Sequence, residues 1–233
     1  MDTKFAWEEV NKYLNLEIEG KRIVCPYFTN HIGKAFLDAM HDGGLDPETT
    51  GRIIKLYNER KYPLGWWRGK GTPEQIIEAT LDIAKMEKTD LTKGGAEAIR
   101  EFMMLHGMGI DCSGFVYNVL SFAGVKFELD VFKAGAFSFA EKISQIIDYK
   151  EVKSGDLILI KNKEGEYTHV VLVLADENNK LKIVQSTSTK YPMGVFVDDL
   201  DILADKPRFG FVPELGTDWN VLWDEGRLEF RRL

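Results

Sequence analysis

The sequence is poor in the residues that most often announce a chemistry. Its 233 residues include only two cysteines, Cys25 and Cys112, and four histidines. Two thiols exclude a disulfide scaffold and cannot supply the paired ligands of a structural zinc site. His31 and His41 are too far apart for an i, i+4 ligand pair, so neither a metal nor any other cofactor is expected. Positive charge is also short. Thirty Lys and Arg against 37 Asp and Glu leave a net charge of −7, which argues against a nucleic-acid partner. The basic run of Lys153, Lys161 and Lys163 reads as solvated turns around strands. No stretch approaches the roughly eighteen apolar residues of a membrane helix. The opening MDTKFAWEEVNKY has no apolar run of signal-peptide length. As it stands the sequence implies a cytoplasmic protein without an integral membrane segment; a chain trimmed of an export signal would read the same way. There is no internal repeat and no low-complexity segment.

What is present suffices for a folded core: 44% of residues are hydrophobic and 12% aromatic. The first hundred residues read as mostly helical. Residues 5–14 are amphipathic, and 21–25 suggest a strand ending at Pro26. Asn30 and Asp46-Pro47 each offer a helix start. Thr72-Pro73-Glu74-Gln75 is a capping box before Ile76, Ile77 and Ile83. A further helix spans about 95–106. IDCSGFVYNVLSFAG is apolar nearly all round, predicting a centrally buried helix that Gly124 ends. Residues 125–150 suggest a loop and an amphipathic helix. Strand-like segments follow at 156–161, 168–175, 181–186, 194–197 and 208–212, with turns short enough for an antiparallel meander, and a last hairpin is expected after Asp224-Glu225-Gly226. Helices first and strands later predict an α+β fold with helices on one side of an antiparallel sheet.

Cys112 sits where a thiol gains reactivity. In the first turn of a helix it faces unpaired N–H groups and the positive end of the dipole, both of which favour a thiolate. The same N–H groups can hold the oxyanion of a tetrahedral intermediate. Gly114 is expected to leave room for a substrate backbone beside the sulfur. A packed helical cysteine is the alternative reading of Cys112, and a packed thiol is the reading of Cys25. A nucleophilic thiol needs a base. His169 opens the strand THVVLVLA, and a hairpin to LKIVQS places Gln185 beside it as an amide able to orient the ring. His106 reads as a substrate or shell residue. Asp111 reads as a cap, with Ser113 supporting the oxyanion. Trp66 and Trp67, beside the RGKG loop, could form a substrate-facing wall or belong to the core. The glycines at 65, 69 and 71 make no phosphate loop, because the lysine–serine/threonine ending is absent.

These residues resemble the NlpC-type family of papain-like cysteine peptidases, which cut amide bonds in cell-wall peptides. The resemblance rests on Asp111-Cys112-Ser113-Gly114-Phe115-Val116, the turn Ser154-Gly155-Asp156-Leu157, Thr168-His169-Val170 and Val184-Gln185-Ser186-Thr187. It departs from the family in Gln185, where histidine is commoner, and in Thr168 and Val171, where glycine often stands. The resemblance implies a papain-like fold with a buried catalytic helix on the sheet. It also implies a triad of Cys112, His169 and Gln185, and a cleft tyrosine, for which Tyr27 is the candidate. Organisation is expected as a mostly helical region over 1–98, a catalytic domain over 99–213 and a hairpin or tail over 214–233. The expected activity is cleavage of a muropeptide or γ-glutamyl amide through a thioester acyl-enzyme. A thiol acyltransferase and a non-catalytic peptide-binding module are the alternatives.

Overall fold

The computed structural model describes residues 1–28 and 69–233. Helix α1 (Thr3–Leu14) starts at Asp2, whose carboxylate accepts the N–H of Lys4 at 2.9 Å. Its Ala6, Val10 and Tyr13 recur at helical spacing and are fully buried. Strands β1 (Leu16–Ile18) and β2 (Lys21–Ile23) form a hairpin. Glu19 and Gly20 between them both have positive φ, the geometry of a tight hairpin turn. The expected strand at 21–25 is therefore the second arm of a hairpin whose first arm carried no turn signature of the usual Asn-Gly kind.

Helix α2 (Pro73–Met86) begins with the expected capping box. The Thr72 N–H donates to Gln75 Oε1 at 2.9 Å, and the Gln75 N–H donates to Thr72 Oγ1 at 3.3 Å. Helix α3 (Ala96–Leu105) follows, then α4 (Cys112–Phe122), which Gly124 ends at φ +88°. The apolar α4 is buried along Cys112–Val116 and again at Val119 and Leu120. The amphipathic helix expected within 125–150 does not form as such. A single turn at Ala136–Ser138 widens over Phe139–Ile143 and gives way to strand β3 (Gln145–Ile146). The Arg231 guanidinium takes the Ala140 carbonyl at 2.7 Å, so a tertiary donor replaces the helical one.

Strands β4 (Leu157–Lys161), β5 (Tyr167–Ala175), β6 (Leu181–Thr187), β7 (Gly194–Ile202) and β8 (Pro207–Phe209) run as the expected meander. Helix α5 (Trp219–Asp224) and strand β9 (Leu228–Arg232) complete the chain. The sheet order is β3-β9-β4-β5-β6-β7-β8, with every pair antiparallel. The architecture is thus mixed α+β with an antiparallel sheet. Segment 214–233, expected as a hairpin or tail, instead inserts β9 between β3 and β4. Asp156 of the Ser-Gly-Asp turn anchors it, receiving Arg232 through both oxygens at 2.8 and 2.7 Å.

Helices were expected on one side of the sheet, yet both faces are covered. Val170, Leu172, Leu174 and Val184 share a core with α1, α2, α3 and α4. Val171, Val173 and Ile183 face a second core built with Phe209, Phe211, Trp219, Leu222 and Phe230. That double burial explains why β5 reads as a continuous apolar run rather than an alternating one. Among the described residues, no helix is long and apolar enough to cross a membrane.

Candidate active site

The loop before α4 is held from three sides. The Ile110 N–H donates to the Pro26 carbonyl at 3.0 Å, and its own carbonyl accepts the Phe28 N–H at 3.1 Å and the Ser186 hydroxyl at 2.7 Å. The Asp111 N–H donates to the Gly69 carbonyl at 3.0 Å. Such close passage explains two glycines. A Cβ on Gly109 would lie 2.3 Å from the Pro26 oxygen, and one on Gly114 would lie 2.3 Å from the Gly69 oxygen. Gly114 therefore makes room for the protein's own backbone rather than for substrate, contrary to the sequence expectation.

Asp111 caps α4 as expected, accepting the Gly114 N–H at 2.6 Å. It also holds a partner that sequence reasoning passed over. Lys70 Nζ lies 2.8 and 2.7 Å from the two Asp111 oxygens and donates to the Ala134 carbonyl at 2.9 Å. Both side chains are buried. Burial pushes the Asp111 carboxyl up, and the Lys70 ammonium opposes that push. The Ser113 hydroxyl accepts from Lys70 Nζ at 2.5 Å and donates towards Asp111 and the Ala134 carbonyl, 3.1 and 3.0 Å away. Its side chain thus braces the loop, and only its backbone N–H faces the thiol. The sequence signal for Lys70 is its place between Gly69 and Gly71.

Cys112 is the first residue of α4 and only 8% exposed. Burial, and then the Asp111 charge, push its thiol up to about 11 from an ordinary 9.0; the backbone N–H of Val170, Lys70 and the Ser113 N–H pull the other way. Burial thus opposes the thiolate that the helix-start position favours. Desolvation outweighs the dipole. Cys25 is fully buried, and its thiol is pushed up further still by desolvation.

The Val170 N–H meets the thiol, so the thiol lies against β5 one residue after His169. The β5–β4 register slips between Ile160 and Lys161, which pair with His169 and Tyr167 and leave Thr168 as the extra residue of a bulge. The β5–β6 ladder runs from Ala175↔Leu181 to Leu172↔Val184. Continued by one pair it sets Val171 opposite Gln185, so His169 is the diagonal same-face neighbour of Gln185. Their side chains meet: His169 Nε2 and Gln185 Oε1 are 2.8 Å apart. With the amide oxygen as acceptor, Nε2 carries the ring proton and Nδ1 keeps its lone pair. Burial lowers the His169 pKa from its ordinary 6.5, while the Gln185 contact resists that shift. Gln185 is fully buried, and its amide nitrogen has no hydrogen-bond partner among the described residues. No hydrogen bond joins Cys112 to His169 among those residues.

Tyr27 stands in the same region. Burial, and next the nearby Cys112 and Asp111, drive its hydroxyl well above its ordinary pKa, and Ser188 hydrogen-bonds it. A cleft of about 340 Å³ runs past Tyr27, Thr168, His169, Thr187, Ser188 and Trp219. His106 does not join it. Its ring lies 2.7 Å from the Phe102 carbonyl and 2.9 Å from Glu87, a buried structural role that replaces the substrate or shell role expected. Trp66 and Trp67, with His31 and His41, lie outside the described residues. Among the described residues no His, Cys, Asp and Glu cluster could hold a metal ion.

Residues 94–196 match the sequence profile of the NlpC/P60 family. This segment belongs to that family. It contains Cys112, His169 and Gln185, and it supports a peptidase-type hydrolytic function in general. Lys70, Tyr27, Trp219 and β9 lie outside it. No curated protein matches the chain.

Proposed function

We propose that the protein is a papain-like cysteine hydrolase that cleaves an amide bond in a small peptide, with Cys112 as nucleophile, His169 as base and Gln185 as the group that orients the ring. The observation that carries this reading is the 2.8 Å contact between His169 Nε2 and Gln185 Oε1, on the strand whose Val170 N–H meets a thiol at a helix start. It leaves Nδ1 as the nitrogen able to accept a proton.

Because burial holds the thiol protonated and the ring neutral, deprotonation accompanies attack. Cys112 Sγ bonds to the amide carbon as its proton passes to His169 Nδ1. The carbonyl oxygen becomes an oxyanion facing the unpaired Cys112 N–H and the Tyr27 hydroxyl. Collapse breaks the C–N bond, and His169 protonates the departing amine. Water, deprotonated by His169, then attacks the thioester; the acid leaves and the thiol regains its proton. The substrate class is a muropeptide or γ-glutamyl peptide, following the family resemblance.

The test is amine release from a panel of such peptides by wild type, Cys112→Ala and His169→Ala. Hydrolysis by wild type alone supports the reading. Peptide binding without hydrolysis by any of the three identifies a binding module instead, and transfer of the acyl group to an added amine identifies an acyltransferase.

A further inference from the structure

Lys70 is a buried ammonium held by both Asp111 oxygens, the Ser113 hydroxyl and the Ala134 carbonyl. Its side chain is 1% exposed and that of its partner Asp111 2%, and the pair sits one residue before the nucleophile. Removing a charge pair of this kind from water is costly, so its retention beside a reactive thiol calls for a reason beyond stability. Asp111 is needed as the α4 cap, but a bare carboxylate there would oppose a negative sulfur. Lys70 answers that directly: it spans both Asp111 oxygens and ties the same loop to Ala134.

We propose that Lys70 is a positioning residue for Cys112, which neutralises the Asp111 carboxylate at the sulfur and fixes the loop from which α4 begins. The inference rests on Cys112 being the nucleophile, yet its test reads the sulfur itself and needs no turnover. Besides this pair, the titratable groups that the described residues bring to this region are Tyr27, which acts on the sulfur, and His169, one residue before the Val170 N–H that meets it. All are left in place by the variants below.

The experiment measures iodoacetamide modification of Cys112 by peptide mass spectrometry from pH 6 to 10. Cys25, fully buried in the same protein, serves as the internal reporter of global opening. Lys70→Met leaves the carboxylate unopposed and should move the Cys112 profile up by about one pH unit, an approximately tenfold loss of rate at pH 8. Asp111→Asn keeps a capping oxygen and leaves the ammonium, so the profile should move down and the rate at pH 8 should rise. Lys70→Met/Asp111→Asn should return to within about threefold of wild type, a recovery that a merely structural lysine would not give. If Lys70→Met does not fold, as Cys25 modification would reveal, the opposite shift in Asp111→Asn decides. A Cys112 profile that stays put in the folded variants overturns the proposal, as does a double variant no faster than Lys70→Met.

Discussion

His169 and Gln185 meet across the mouth of the β5–β6 hairpin, ring nitrogen to amide oxygen at 2.8 Å. In the proposed mechanism the contact selects the ring tautomer that leaves Nδ1 free to act as base. Gln185→Ala should therefore lower kcat by about tenfold, the worth of one such hydrogen bond, with KM nearly unchanged. Gln185→His, which restores the family's commoner residue, should recover most of the loss. Steady-state kinetics on an amide substrate check both.

Acid should remove activity late. The proposed mechanism needs the base form of His169, and burial lowers its pKa below the ordinary 6.5. The kcat/KM profile should therefore stay level from neutral pH to below 6.5 before it falls. Stability has the same sign: the unfolded state takes up the proton first, so unfolding free energy declines as pH drops below 6.5. A pH–rate profile with an acid limb above 7 would contradict this.

Base should destabilise the fold through Cys112. Its folded thiol is pushed up to about 11 from 9.0, so the unfolded chain loses its proton first as pH rises. The shift corresponds to about 2–3 kcal/mol lost between those two values. Denaturant titrations at pH 8 and pH 10.5 should show a smaller alkaline loss for Cys112→Ala than for wild type.

Gly114→Ala should misplace Cys112. The new methyl would meet the Gly69 carbonyl oxygen at 2.3 Å, a rigid backbone neighbour. Overpacking of this kind costs about 1–3 kcal/mol or more, visible as a fall in Tm together with lost activity.

Trp219→Ala should cost about 3–5 kcal/mol in a denaturant titration, although Trp219 lies outside the family match. The indole is buried against Phe211, with ring centres 4.8 Å apart, and edges the His169 ring at 6.3 Å. The segment after residue 196 is thus part of the structure that backs the site.

Much of this was legible locally. The capping box at Thr72, the apolar α4, the meander and the meeting of His169 with Gln185 all follow from periodicity, caps and turn lengths, which act over a few residues. What stayed hidden depends on distant chain. Nothing near residue 230 announces that β9 pairs with β4, because that register is set by packing on Phe209 and Trp223 rather than by a turn. Lys70 becomes meaningful only once Gly69 hydrogen-bonds to Asp111. The surroundings of Cys112 were hidden for a related reason: a helix start is visible in sequence, whereas the burial that opposes ionisation is supplied by the tertiary fold.

The central claim is that Cys112 carries the acyl group. Peptide mass spectrometry after rapid acid quench, with an activated acyl ester of a γ-glutamyl peptide as substrate, tests it most directly. The predicted result is a hydroxylamine-labile acyl mass on the Cys112 peptide of wild type and none on Cys112→Ala. Steady hydrolysis by Cys112→Ala, or an acyl group on another residue, would contradict it.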